Sequence, residues 1–268
     1  REVLIPCSSV EIAQISNIKI CDKMNKINYL NYKENYMKTI KIFLLTFIMF
    51  QSSANFADVG EVYQWKAFPG KTQQMLENMQ EAAKIHEAEG AVVAIDLLNI
   101  GSEPLVNYVL RWDNSKDYAA FKDQANQSEE WLEYWARVNQ DPTGEMVASF
   151  AANNLDQTKK ASDFEGSYVY SVTTWKVDPG KDLELIERFM ESKSILESTG
   201  ARVEIYAGNW GAPNEYHYLL MYDNWTDLEK SFSELTTPGG EWMSMMQRRA
   251  NDEQIAEQLG FFTGTTFN

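Results

Sequence analysis

The chain has 268 residues, 44% of them hydrophobic, with 24 Lys/Arg against 39 Asp/Glu and a formal charge of −15. That length accommodates two domains of ordinary size, and that hydrophobic share suits a packed interior rather than a disordered chain. Residues 58–268 alone carry 17 basic and 35 acidic side chains, a net −18; a surface so acidic repels nucleic-acid phosphates and anionic lipid headgroups, so neither nucleic acid nor stable membrane anchoring is expected.

Residues 1–36 begin with Arg1, show no periodicity and read as an upstream extension, with a start at Met24 or Met37. Residues 37–57 read as a signal peptide. Met37-Lys38-Thr39-Ile40-Lys41 is a basic start, Ile42 to Phe50 an apolar run, and a small polar stretch follows with cleavage after Ala54 or Ala57. The run falls short of the roughly 20 apolar residues a bilayer span needs. A periplasmic or secreted protein is therefore expected. Cys7 and Cys21 both precede this segment, and His86 and His217 are the two histidines, so no disulfide, thiolate nucleophile, metal site or cofactor is expected in the rest.

From Trp65 onward the chain is written twice. Trp65-Lys66-Ala67-Phe68-Pro69-Gly70-Lys71 returns as Trp175-Lys176-Val177-Asp178-Pro179-Gly180-Lys181, 110 residues later. The same offset pairs Gly90 with Gly200, Ile95 with Ile205, Tyr108 with Tyr218 and Asp113-Asn114 with Asp223-Asn224. A period of that length is a whole small domain, not a solenoid unit.

Each copy reads in the same order. Val62–Phe68 and Tyr168–Val177 are aromatic and β-branched strands. Pro-Gly then ends the strand, and apolar residues at helical spacing (Met75, Leu76, Met79, Ala82, Ala83, His86) predict a helix over 71–89, repeated after Lys181. Gly90 and Gly200 close these helices. Second strands follow at 91–99 and 201–209, and third strands at 105–112 and 215–222. Asp-Asn then caps helical regions from Ser115 to about Gln140 and from Trp225 to about Gln258, broken near Gln127 and at Pro238-Gly239-Gly240. Last strands are expected at 145–152 and 260–267. The expected fold is α+β: two tandem ferredoxin-like (βαββαβ) halves, residues 58–152 and 167–268, joined by a polar linker at 153–166. They would close as a single-chain α+β barrel of the dimeric type, with helices outside.

The strand–Pro-Gly-Lys–helix unit, together with Leu110-Arg111-Trp112-Asp113-Asn114-Ser115-Lys116-Asp117-Tyr118 and its counterpart at 220–228, resembles the dimeric α+β barrel superfamily. The look is nearest to antibiotic-biosynthesis-monooxygenase-like domains and covers most of residues 61–268. The resemblance implies cofactor-free oxygenases of small aromatic molecules or haem-degrading enzymes. The chain departs from that pattern in two places. A histidine that members often carry on the helix after Trp-Asp is Phe121 here, and Ser231 in the second copy. The first strand also lacks the Asn of the haem degraders' Asn-Trp-His set.

Strand alternation nominates the site. In 215–222 it sets His217, Leu219 and Met221 on one face and Tyr216, Tyr218, Leu220 and Tyr222 on the other, with Asn107, Val109 and Arg111 matching the first set. If that set faces the barrel interior, its buried polar groups must be hydrogen-bonded or wet, as a ligand site is. Parity adds Lys66 and Lys176 on the first strands and Arg202, Glu204, Asp96 and Tyr206 on the second, with Arg202–Glu204 read as either a buried pair or, more commonly, a solvated edge. The expected function is binding of a small hydrophobic or aromatic molecule in the interior, with monooxygenase-like chemistry. In that scheme Lys176 or Arg111 holds an anionic oxygen and His217 acts as base, while Asn107, Lys66, Tyr206 and Arg202 line the site. The competing readings are a scaffold or interaction protein of the same fold, and haem held by His217. His86, whose counterpart is Leu196, reads as a packing residue. The oligomeric state stays open.

Overall fold

A computed structural model describes residues 58–125 and 127–267; the segments read as upstream extension and signal peptide lie outside these residues. The chain order is β1 (Val59–Ala67), α1 (Thr72–Ala88), β2 (Val92–Leu98), β3 (Val106–Trp112), α2 (Ser115–Ala125), α3 (Glu129–Val138) and β4 (Gly144–Asn154). A 3₁₀ turn at Ala161–Phe164 follows, then β5 (Val169–Val177), α4 (Asp182–Ser198), β6 (Arg202–Gly208), β7 (Glu215–Tyr222), α5 (Trp225–Leu235), α6 (Glu241–Arg249) and β8 (Ala256–Thr266). The last helix ends sooner than its pattern predicts. Ile255 and Ala256 are buried, and β8 starts there, to pair along the whole of β5.

Local chemistry sets the boundaries. Asn224 accepts a hydrogen bond from the Asp227 amide at the start of α5, and Asn114 accepts from the amides of Lys116 and Asp117 at α2. Each leaves fewer orphan donors in the first turn. Gly90 and Gly200 follow α1 and α4 with φ of 94° and 92°, backbone that side chains other than glycine rarely take.

All pairing is antiparallel, and the eight strands close into a barrel in the order β1-β3-β2-β8-β5-β7-β6-β4. Within each four-strand group the ladders are long. The two seams between groups are short: Asp96–Leu98 against Gly264–Thr266, and Ala152–Asn154 against Gly208–Tyr206. One outer core lies under α1–α3 and holds Met75, Leu76, Met79, Tyr108, Leu110, Trp112 and Phe121. Another, under α4–α6, holds Leu185, Phe189, Leu196, Tyr216, Tyr218, Leu220 and Met245. A third cluster, with Val172, Tyr170, Tyr206, Met221 and Leu219, fills part of the space inside the barrel. Tyr218 and Leu220 thus face the helices while Leu219 and Met221 face inward, as strand alternation requires.

Candidate functional site

The barrel interior holds a cavity of about 370 Å³, lined among others by Asp96, Asn107, Arg111, Tyr168, Tyr170, Tyr206 and His217. Arg111 is its anchor. Its Nη1 donates to Asp58 Oδ2 at 3.1 Å and to the Tyr206 hydroxyl at 2.6 Å, and its guanidinium lies 4.2 Å from the Phe164 ring centre. Tyr206 in turn donates to Asp58. Burial pushes the Asp58 carboxyl up, with Arg111 pulling the other way. A second buried network surrounds Glu204, which has no solvent exposure. Arg202 Nε stands 2.8 Å and Lys159 Nζ 3.2 Å from its Oε1, and Asn154 donates to its Oε2 at 3.1 Å. The solvated-edge reading of Arg202–Glu204 is corrected: the seam with β4 and the 3₁₀ turn cover it, and Arg202 lies 4.3 Å from the Phe164 ring centre.

Beyond these networks the interior contains polar atoms with no hydrogen-bond partner. They are Asp96 Oδ1, Asn107 Oδ1, Arg111 Nε, the Tyr168 hydroxyl, Thr266 Oγ1 beside Asp96, and His217 Nε2. His217 holds Thr174 Oγ1 at 3.2 Å through Nδ1 and stacks on Phe150 at 4.7 Å between ring centres. Burial lowers its imidazole to about 4, so it is neutral at pH 7. Burial raises the Asp96 carboxyl to about 6, against the pull of Arg111. These residues do not fit a haem on His217. His217 Nε2 is unpartnered, but the cavity, about 370 Å³, lies near the lower end of the size range of small-ligand sites and is too small for a porphyrin.

The structure brings Asn107, Arg111, Tyr206 and His217 together and leaves both lysines outside. Lys66 and Lys176 share the inward parity, but they sit where β1 and β5 run past the rim. Lys66 is half exposed and pairs with Glu103 at 2.5 Å, and Lys176 is exposed between its strand neighbours Glu215 and Glu257. Arg111 is engaged through Nη1 by Asp58 and Tyr206, while its Nε faces the interior with no partner.

A larger cavity, about 600 Å³, opens outside the barrel between the first sheet and α1–α3. Its walls are aromatic: Tyr63, Trp65, Tyr108, Phe121, Trp131 and Trp135. His86 stands in this wall, with Nδ1 2.8 Å from the Tyr108 hydroxyl and its ring centre 4.3 Å from that of Trp131. Burial, and secondarily the charge of Lys122, lowers its imidazole to about 4. Lys122 reaches the Tyr63 hydroxyl at 3.1 Å and Glu61 at 2.5 Å. Among the described residues no cluster of three or more His, Cys, Asp or Glu is placed to hold a metal, and no helix is long and apolar enough to cross a membrane. Sequence reasoning missed this cavity because it took His86 as packing. The available signal was that His86 and Lys122 are replaced by Leu196 and Phe232 at the same offset.

Solved structures of low identity share the architecture. A proposed monooxygenase of Fusobacterium nucleatum subsp. nucleatum aligns at 11% identity over 79% of this chain and 92% of its own, with a TM-score of 0.50. An anthrone oxidase-like protein aligns at 15% identity over 81% and 93%, TM-score 0.50. A proposed chlorite dismutase aligns at 11% over 79% and 95%, again at 0.50. These are dimeric α+β barrel proteins, and the chain has their fold. No sequence family and no curated protein matches it.

Proposed function

We propose that this chain binds a small aromatic molecule in the cavity between its first sheet and α1–α3, as a monooxygenase-like protein of the α+β barrel fold. One observation carries the reading: that cavity is large and walled by rings, and it buries a neutral imidazole. Such apolar clefts with few polar groups are the usual form of small-molecule sites. His86 and Glu145 are the basic groups of that wall, and of the two His86 is the candidate to accept a hydrogen bond or proton from a phenolic ligand, as a base weakened by burial. Tandem ferredoxin-like halves and export through residues 37–57 belong to the same proposal. The repeated element order supports the first, and cell fractionation of the full chain tests the second.

The binding test is titration of 2-naphthol against the fluorescence of the wall tryptophans. Saturable quenching is expected. Ala82→Phe, which projects a ring into the cavity, is expected to weaken it by about tenfold or more. Equal affinity in the two proteins would place the ligand elsewhere. Oxygen uptake with the same probe that survives His86→Leu would remove that residue's role as base.

A further inference from the structure

We propose that the barrel interior is a second ligand site, distinct from the aromatic cavity, and that it takes a compact arylalkylamine as its ammonium ion against Asp96 and Asn107.

Geometry comes first. Asp96 and Asn107 are register partners on β2 and β3, so their side chains stand side by side on the inward face. Each is more than nine-tenths buried, and each carries an oxygen without a hydrogen-bond partner, Asp96 Oδ1 and Asn107 Oδ1. Two adjacent acceptors need a group with several N–H donors, and an ammonium supplies three. An unmatched buried acceptor is costly.

Charge decides the sign of the ligand. Arg111 is engaged by Asp58 and Tyr206, and Glu204 by Arg202 and Lys159. Asp96 has no cation of its own in hydrogen-bond contact. Around Arg111 itself two carboxylates, Asp58 and Asp96, face a single guanidinium, so an anion is repelled there and a monocation evens the local charge. The remaining walls suit an aromatic tail, since Val62, Val109, Phe150, Val172, Leu219 and Phe262 also line the cavity. Ammonium ions also sit favourably near aromatic faces, here those of Tyr168 and Tyr170. The groups facing Asp96 are Arg111 and Asn107 on β3, Tyr168 and Tyr170 at the start of β5, and Thr266 on β8. The net −18 of residues 58–268 raises the local concentration of cations at every entrance.

The experiment titrates the whole protein calorimetrically with 2-phenylethylamine at pH 7.5, beside phenylacetate, which has a similar shape and the opposite charge. Saturable binding of the amine alone is expected, weakened about tenfold or more by Asp96→Asn, with near-ultraviolet circular dichroism confirming that the variant is folded. Should that variant not fold, the wild type carries the test. Amine affinity is expected to fall as the pH drops through about 6, where Asp96 takes up its proton. Binding of phenylacetate equal to that of the amine would overturn the proposal. So would an amine affinity flat between pH 5 and 8, or no saturable binding up to about 10 mM, in which case ordered water satisfies the interior.

Discussion

The first and second halves share an exterior and differ inside it. Lys71 pairs with Asp141 where Lys181 pairs with Glu253, each tying the start of a helix to the segment before the last strand. Arg137 reaches Glu81 as Arg248 reaches Glu191. Under this shared frame the first half has Met79, His86 and Lys122 where the second has Phe189, Leu196 and Phe232. The buried tyrosine turns accordingly: Tyr108 meets His86 at 2.8 Å, and Tyr218 meets Ser192 at 3.0 Å. Phe189 packs on both Tyr216 and Tyr218, and its half is closed by Leu196, Leu235 and Met245. Side-chain volume on one helix face, rather than backbone path, decides which half keeps a cavity.

The comparison breaks hardest at the buried Asp58–Arg111 ion pair, both members of which come from the first half. Arg111→Met leaves Asp58 buried without its cation, and is expected to cost about 3–5 kcal/mol in urea unfolding. Adding Asp58→Asn is expected to restore most of that loss, and a double mutant no more stable than the single would show that the charge is not the cause. Next comes Phe189→Ala, which empties the second half's helix–sheet core. A loss of about 3–4 kcal/mol is expected, with a new binding site for 2-naphthol. Failure to bind would mean that the wall needs His86 as well as space.

Acid stability sharpens the contrast further. His86 and His217 have folded pKa values near 4, below the ordinary 6.5, so the unfolded chain gains protons that the folded chain refuses. Stability is then full above about 6.5 and falls as the pH drops toward 4, by up to about 3 kcal/mol per histidine. Asp96 works in the opposite direction. Its folded pKa near 6 exceeds the ordinary 3.8, so stability falls as the pH rises from about 4 to 6. Unfolding curves across pH 4–7 should therefore steepen in Asp96→Asn and flatten in His86→Leu, the second half's own residue. The smallest effects are expected at the exposed pairs: Lys71→Ala and Lys181→Ala should shift the thermal midpoint equally and slightly, because solvent screens both.

Much of this was legible in advance, for identifiable reasons. Alternation along β3 and β7 is strict, so periodicity puts Asn107, Arg111 and His217 on one face, but that this face is the inward one came from the barrel's closure. Tyr206 follows from the same rule on β6. Parity fails for Lys66 and Lys176 because it names a face and not a depth, and both strands outrun the barrel. Asp58 was invisible as a partner of Arg111, since the two are 53 positions apart and Asp58 stands just before β1. Phe164, which covers two guanidinium groups, lies in a polar stretch read as linker, where one aromatic carries no periodicity. The aromatic cavity was hidden for another reason. A stripe of rings at helical spacing looks the same whether the rings fill a space or surround one.

The two seams carry a kinetic consequence. Each joins the four-strand groups over three residues, against seven to nine along most ladders within a group. Flanking backbone bonds lengthen each seam: Asn99 to Thr263, Thr263 to Ile100 and Phe267 to Ile95 at one, and Ala151 to Trp210, Asn209 to Ala151 and Leu155 to Ile205 at the other. Parting the groups there still leaves both outer cores intact. The seams are nonetheless the shortest pairings of the barrel, so opening between the groups is expected there first. Amide protons in the seam pairings should exchange well before those of β1, β3, β5 and β7. An amine seated on Asp96 would slow the β2–β8 seam first.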